Sequence, residues 1–126
     1  MSAKPKIMIS FRDYDRLYAV LDKLPISVTT ELLADELERA QLVDDGGLPP
    51  TVVAMHSTVM FTLLATKKSF TYKLVYPHEA TSNQLLSILT PVGSALIGLS
   101  AGQEIQWPLD NGRSTTVRID KVVQLS

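Results

Sequence analysis

Residues 86–105, which decide the fold, read LSILTPVGSALIGLSAGQEI. The opening apolar residues predict a short strand. Thr90 before Pro91 predicts the start of a helix, because a threonine hydroxyl can cap the first turn and proline suits the first helical position. Gly98 ends this helix, since glycine readily takes the left-handed conformation found after a helix, and the next strand begins at Glu104. The stretch therefore predicts a strand, a short helix and a second strand.

The residues around this stretch follow the two-residue period of β-strands. Asp110-Asn111-Gly112 predicts a tight hairpin turn, because Asn-Gly supplies the positive φ angles that such a turn needs, and residues 66–69 predict the tip of another hairpin. We therefore expect a small, mainly antiparallel sheet with one inserted helix. The predicted strands are residues 58–65, 70–76, 85–89, 104–107 and 115–125, with a short addition at 52–55.

The first part of the chain shows the three- and four-residue spacing of amphipathic helices. Ser10 caps a predicted helix over residues 11–24, which Pro25 ends. A second helix begins near Val28 or Thr29. Each helix of about 14–16 residues would be roughly 21–24 Å long. Because neither would be stable alone, we expect the two to pair as a short antiparallel hairpin, or coiled coil.

Residues 44–50, which read DDGGLPP, interrupt regular structure and predict a linker. We therefore divide the chain into an N-terminal helical hairpin, residues 1–45, and a sheet domain, residues 46–126. Residues 1–48 carry nine acidic and six basic side chains, a net charge of −3, whereas residues 49–126 carry a net charge of +2. The predicted fold class is α+β.

Composition excludes several classes of protein. The apolar fraction of 45 % and the charged fraction of 20 % can build a core, which argues against a disordered chain. The absence of cysteine excludes disulfides and thiolate chemistry. A net charge of −1 lacks the basic surplus of proteins that hold nucleic acid through its phosphates. No apolar run approaches the roughly 20 residues that cross a bilayer, so we expect a soluble, cytoplasmic protein without membrane contact.

The sequence contains no set of residues typical of an enzyme active site. His56 and His78 lack the spacing to other ligands that a metal or catalytic site requires. Asp22 and Glu31 lie near the tip of the predicted hairpin, where a pair of acids can bind Mg²⁺. The simpler interpretation is that both are solvated and that Glu31 favours the helix dipole. We expect no catalytic residue, no metal and no cofactor.

The motif in residues 86–105 resembles the signature of the GreA/GreB transcription elongation factors. In that family a strand leads to Ser/Thr-Pro-hydrophobic-Gly, then to an Ala-Leu-hydrophobic-Gly helix and a Gly-Asp/Gln-x-hydrophobic strand. The matching segments are residues 90–93, 95–98 and 102–105. Residues 51–59 and 71–77 resemble further segments of the same domain. Residues 34–41 and the short predicted hairpin resemble the Rnk branch of this superfamily, the regulators of nucleoside diphosphate kinase.

This resemblance implies an FKBP-like domain that carries a short antiparallel coiled coil. It also implies binding to bacterial RNA polymerase near the secondary channel, without sequence-specific contact to nucleic acid. In Gre-like proteins the region of the strand, the proline and the helix docks on the polymerase. The residues carried over are Thr90, Pro91, Val92, Gly93 and Leu96. Alternatively, Pro91 and Gly93 only shape a turn and Leu96 only packs.

The predicted helices are shorter than the coiled coil of the cleavage factors, whose acidic tip reaches the polymerase active site. Three functions therefore stay open. The first is a non-enzymatic regulator of the Rnk type that competes with Gre factors and does not stimulate transcript cleavage. The second is a cleavage factor that uses Asp22 and Glu31 with Mg²⁺. The third is an interaction module for another protein, bound through Tyr14 and Tyr18 of the first helix.

Overall fold

The N-terminal part of the chain is a helical hairpin closed at its base by two short strands. The structure, a computed structural model, describes residues 6–108 and 114–124. Strand β1 (Met8–Ser10) leads into helix α1 (Phe11–Asp22), and helix α2 (Val28–Arg39) leads into strand β2 (Gln41–Val43). The two strands pair in parallel. The sequence predicts the hairpin but not these strands, because three residues are too few to show a period.

Both helices begin at side-chain caps. Ser10 Oγ accepts a hydrogen bond from the backbone N–H of Asp13 at 3.2 Å. At α2, Ser27 Oγ accepts from the backbone N–H of Thr30 at 3.2 Å, and Thr30 Oγ1 accepts from that of Ser27 at 2.8 Å. Each helix has 12 residues, which makes it about 18 Å long and shorter than predicted. Among the described residues, no helix has the length and apolar character needed to cross a membrane.

The remaining described residues form a five-stranded sheet and one α-helix, with short 3-10 helices at Asp45–Gly47 and Pro77–Glu79. The elements are β3 (Thr58–Leu63), β4 (Lys68–Val75), β5 (Leu85–Ser87), α3 (Pro91–Leu96), β6 (Glu104–Pro108) and β7 (Ser114–Val123). The strand order is β5-β4-β3-β7-β6, and most neighbours are antiparallel. However, β5 lies parallel to β4, with Leu85 beside Lys73. The prediction of a mainly antiparallel sheet is confirmed for three of the four pairings. It fails for β5, because residues 76–84 return the chain alongside β4 before β5 begins.

Smaller predictions within the sheet domain have mixed outcomes. The predicted strand at residues 52–55 is reduced to a single bridge between Val52 and Ser100. The predicted hairpin tip contains Lys67, whose φ angle is 59°, in the turn before β4. The predicted turn at residues 110–112 lies outside the described residues, although β6 and β7 on either side of it pair antiparallel.

One buried cluster joins the helical hairpin to the sheet. Leu17 of α1 and Leu33 and Leu37 of α2 are at most 1 % exposed, and they share a cluster with Phe61 of β3 and Leu96 of α3. Helix α2 packs against α3 as well as against α1. The base of the hairpin therefore lies on the sheet domain. Two 12-residue helices need this support, because they bury too little apolar surface to be stable as a separate pair.

Candidate functional site

The loop that begins α3 is held by its own threonine. Thr90 Oγ1 accepts a hydrogen bond from the backbone N–H of Gly93 at 3.0 Å and donates one to the carbonyl oxygen of Ser87 at 2.8 Å. Pro91 is the first helical residue, where its fixed φ angle suits the helix. The cap therefore ties the start of α3 to the end of β5.

Gly93 allows α3 to approach β5 more closely than any other residue would. A Cβ atom at this position would lie 2.2 Å from the carbonyl oxygen of Ser87 and 3.0 Å from the Cα atom of Ile88. Both are backbone atoms, so they cannot move aside as the end of a flexible side chain can. Gly93 is buried, and its contacts favour the role of shaping the loop.

Val92 and Leu96, two of the residues predicted to dock on the polymerase, lie in different surroundings. Val92 is half-buried and lines a groove on the surface of the sheet. Leu96 is 0 % exposed and belongs to the core. Its burial favours the alternative that Leu96 only packs, because the inner face of this short helix contacts the sheet and α2.

Val92 forms one wall of an apolar groove with a volume of about 240 Å³. Phe61 of β3, which is 2 % exposed, and Phe70 and Tyr72 of β4 also line it. The ring centroids of Phe61 and Phe70 are 5.6 Å apart, and those of Phe70 and Tyr72 are 6.3 Å apart. The other lining residues are Leu63, Leu86 and Thr115. This surface, named the aromatic groove, suits an apolar side chain of a partner.

Sequence reasoning missed the aromatic groove as a unit. The alternation of Phe70 and Tyr72 places both on one face of a strand, which the sequence does show. Their stacking on Phe61 depends on the register of β3 and β4, in which Phe61 lies opposite Phe70. Register is a long-range property, and the pattern of one strand does not define it.

A polar junction of five residues connects α1 to the sheet domain. The carboxylate of Asp13 accepts a hydrogen bond from the backbone N–H of Met55 at 3.1 Å. His56 has a φ angle of 69°, which is uncommon for a residue with a side chain. Its Nε2 atom lies 2.8 Å from Oε1 of Glu79, and that oxygen also accepts from the backbone N–H of Tyr76 at 3.1 Å. The hydrogen bond of Asp13 joins α1 to the loop of Met55 and His56, and the His56–Glu79 contact joins that loop to the one that follows β4.

Burial and hydrogen bonding shift the acidity of the junction residues in different directions. Burial raises the pKa of Asp13 above its ordinary value, although the hydrogen bond from Met55 opposes this shift. The hydrogen bond to His56 is the main cause of the lowered pKa of Glu79. Burial raises the pKa of Tyr76 to about 12, so its hydroxyl keeps its proton at neutral pH.

The tip of the hairpin has apolar residues between its two acids. Asp22 is the last residue of α1, Glu31 lies in the first turn of α2, and both are exposed. Between them, Ile26 is 85 % exposed and Val28 is 76 % exposed. In residues 6–108 and 114–124, no three His, Asp or Glu side chains are grouped so as to hold a metal ion.

The tyrosines of α1 are half-buried. The rings of Tyr14 and Tyr18 meet edge to face, with centroids 4.8 Å apart, and both pack against the buried cluster. This packing gives the two residues a structural role. It weakens the hypothesis that α1 binds a partner through them.

Comparisons with known protein families cover both the helical hairpin and the sheet domain. Residues 48–124 match the family described as "Transcription elongation factor, GreA/GreB, C-term", and residues 5–43 match the one described as "Rnk N-terminus". The chain belongs to the GreA/GreB family of transcription elongation factors. The resemblance identified from the motif in residues 86–105 is therefore confirmed.

Within this family the chain is a regulator of the Rnk type. It is 37 % identical to the "Regulator of nucleoside diphosphate kinase" of Escherichia coli K12, over 93 % of this chain and 88 % of that protein. It is 38 % identical to "Transcription elongation factor GreA" of Helicobacter hepaticus, over 62 % of this chain and 48 % of that protein. A solved structure, "Prokaryotic transcription elongation factor GreA/GreB from Nitrosomonas europaea", superposes with a TM-score of 0.76 at 47 % identity, covering 95 % of this chain and 99 % of that one.

Proposed function

We propose that this chain is a non-enzymatic regulator that binds bacterial RNA polymerase near the secondary channel and competes there with Gre factors. The aromatic groove beside Val92 carries the proposal. Its lining is mostly apolar, and one of its residues, Phe61, belongs to the central strand β3 of the sheet. Binding residues often lie where a loop meets such a scaffold. This regulator would act in the bacterial cytoplasm.

Competition requires only that two proteins use the same surface of the polymerase. The GreA/GreB C-terminal domain, residues 48–124, contains the aromatic groove and the α3 loop, so this chain has the part that a shared docking surface would need. A bound copy then excludes a Gre factor by occupancy. This mechanism needs no catalytic residue in the chain.

The proposal that this regulator does not stimulate transcript cleavage rests on the hairpin. Helices of 12 residues reach only about 18 Å. The residues between Asp22 and Glu31 include exposed apolar side chains, which do not bind Mg²⁺. The alternative, a cleavage factor that uses these two acids, needs the polymerase to supply the remaining ligands of the ion.

The docking proposal is tested by binding of the purified chain to bacterial RNA polymerase, with and without excess Gre factor. We expect displaceable binding, and a loss of affinity of about tenfold or more for Val92→Asp, because the new carboxylate would be desolvated without a partner. The matched control is Val123→Asp on β7, outside the groove, where Val123 is 50 % exposed. Equal affinity of Val92→Asp and the control, or failure of a Gre factor to displace the chain, would contradict the shared docking surface.

The cleavage alternative is tested on stalled elongation complexes. We expect the chain to leave the rate of RNA cleavage at the intrinsic rate of the polymerase. Stimulation comparable to that of a Gre factor, abolished by Asp22→Ala with Glu31→Ala while binding is retained, would establish the alternative function instead.

A further inference from the structure

A second pocket lies where α1 meets the loop that follows β4. Its lining includes Arg16, Ala19 and Val20 of α1 and Tyr76 and His78 of the loop. Its volume is about 350 Å³, which is within the range of small-molecule sites. This surface, named the α1 pocket, shares no lining residue with the aromatic groove, so a ligand bound there is independent of the groove.

The hydroxyl of Tyr76 is buried at this pocket without a partner. Tyr76 is 6 % exposed, and its Oη atom makes no hydrogen bond within the described part of the chain. The backbone N–H of the same residue donates to Glu79 at 3.1 Å, whereas the hydroxyl is left unsatisfied. Its pKa of about 12 keeps the proton in place, which makes the group a donor at neutral pH. A buried donor without an acceptor destabilises a fold, and an acceptor atom of a ligand removes this cost.

Arg16 supplies a second donor beside this hydroxyl. Its side chain is exposed and forms no ion pair with the residues that the structure describes, whereas Arg12, one turn earlier on α1, pairs with Asp45 at 3.5 Å. Burial raises the pKa of the Tyr76 hydroxyl, and the nearby guanidinium of Arg16 partly offsets this shift, although the two groups do not reach the geometry of a hydrogen bond. An arginine has only donors, and the Tyr76 proton also needs an acceptor. An oxyanion placed between the two groups would accept from both.

Neighbouring acids select the charge of the ligand. Besides burial, which is the main cause, Asp13 and Glu79 raise the pKa of the Tyr76 hydroxyl, so their negative charges lie near the same point. Because like charges repel, each further negative charge on a ligand weakens its binding here. A carboxylate carries one charge, whereas a phosphate monoester carries about −1.5 to −2 at pH 7. The pocket therefore favours a carboxylate over a phosphate.

Apolar surface adjoins the two donors. Ala19 and Val20 contribute aliphatic groups to the lining. The rings of Tyr76 and His78 lie nearly parallel, at 14° with centroids 6.3 Å apart, and both line the same pocket. Aliphatic groups and ring faces suit the apolar body of a ligand whose charged end is held by donors.

We propose that the α1 pocket binds a small monocarboxylic acid, whose carboxylate accepts hydrogen bonds from the Arg16 guanidinium and the Tyr76 hydroxyl. The apolar body of the acid lies against Ala19 and Val20. The exposed side chain of Arg16 turns outward to admit the carboxylate, which costs little because it breaks no ion pair. Since this ligand contacts both α1 and the loop after β4, it binds the folded chain and stabilises it.

The experiment titrates benzoate into the full-length protein and follows the backbone amides by NMR. We expect saturable changes at Ala19, Val20 and His78, and a rise in the unfolding temperature with benzoate concentration. Three further probes separate the parts of the ligand. Acetate lacks the ring, benzamide lacks the charge, and phenyl phosphate keeps the ring but adds charge. Each should bind more weakly than benzoate.

Three variants test the two donors. Tyr76→Phe and Arg16→Gln should each weaken benzoate binding by about tenfold, because each removes a hydrogen bond to a charged group. The matched control is Arg12→Gln, an exposed arginine of the same helix outside the α1 pocket, and it should bind benzoate as the wild type does. Tyr76→Phe should unfold at the wild-type temperature or above it, because it removes only an unsatisfied hydroxyl.

Several results would overturn the inference. The absence of saturable changes with benzoate contradicts the site itself. Wild-type affinity in Tyr76→Phe or Arg16→Gln contradicts the two donors, and an equal loss in Arg12→Gln shows only a general effect of positive charge. Benzamide or phenyl phosphate that binds as tightly as benzoate contradicts the choice of a carboxylate. None of these results bears on binding to RNA polymerase, so the proposed function is tested separately.

Discussion

The aromatic groove and the hairpin tip are both apolar, but they are built in different ways. Phe61 and Val92 of the groove belong to β3 and α3, far apart in the chain, and Phe61 is 2 % exposed. The tip residues Ile26 and Val28 lie within one turn, held by a local cap, and stay exposed. The groove therefore depends on the whole fold, whereas the side chains of the tip can be changed without disturbing it. Substitutions that separate folding from binding should distinguish the two surfaces.

The largest effect is expected on the groove side, from Gly93→Val. The new Cβ would meet the carbonyl oxygen of Ser87 at 2.2 Å, and a branched side chain adds further overlap, so α3 must leave β5. We expect a loss of roughly 4 kcal/mol or more in the free energy of unfolding, measured by urea denaturation. The matched control is Gly46→Val, because a Cβ at Gly46 has no neighbour within 4 Å. Similar losses in both variants would contradict the close approach of α3 to β5.

A smaller loss of stability is expected from a substitution at the base of the hairpin, and almost none from a substitution at its tip. Leu37→Ala removes a side chain that is 1 % exposed and should lower the free energy of unfolding by roughly 3 kcal/mol. Ile26→Ala should change it by less than about 0.5 kcal/mol, because Ile26 is 85 % exposed. The helical signal in circular dichroism and the protection of the sheet amides from hydrogen exchange should be lost in one transition in both variants. Separate transitions would mean that the hairpin and the sheet do not share a core.

The smallest effect is expected at the polar junction and depends on pH. The lowered pKa of Glu79 means that its ionised form stabilises the fold above the ordinary value of 4.5, and that this contribution is lost as the pH falls through the lowered folded value. The difference in unfolding free energy between wild type and Glu79→Gln should therefore be present at pH 7 and shrink in acid.

Asp13→Asn should show the opposite pH dependence to Glu79→Gln, because the pKa of Asp13 is raised and that of Glu79 is lowered. Ionisation of Asp13 opposes folding as the pH rises, so the stability of Asp13→Asn relative to wild type should increase from acid to neutral pH. Differences that are independent of pH in both variants would contradict the assigned shifts.

Local signals in the sequence predict the parts of the fold that are governed by neighbouring residues. Ser10 and Thr90 are caps as predicted, because a cap joins atoms only three residues apart. The predicted end of the first helix at Pro25 is close but not exact, because α1 already ends at Asp22. The resemblance of the motif in residues 86–105 to a known family signature also predicts the family correctly.

The candidate site is less predictable. The sequence names Val92 but also Leu96, and only the packing of α3 shows that Leu96 is 0 % exposed. It shows Phe70 and Tyr72 on one face of a strand but not their position beside Phe61. The sequence also does not predict that β5 pairs in parallel with β4, or that β1 pairs with β2. Both pairings join segments that are distant in the chain.

The sequence by itself determined the helical hairpin and the loop at α3, because caps, breaks and apolar periods act between near neighbours. The resemblance of residues 86–105 to a known signature identified the family. The tertiary structure alone decided which apolar residues are recessed in the aromatic groove, which are buried in the shared core and which stay exposed at the hairpin tip. The physical reason is that burial depends on contacts between distant elements. An isoleucine at position 26 and a leucine at position 37 look equally apolar in the chain, and only packing distinguishes them.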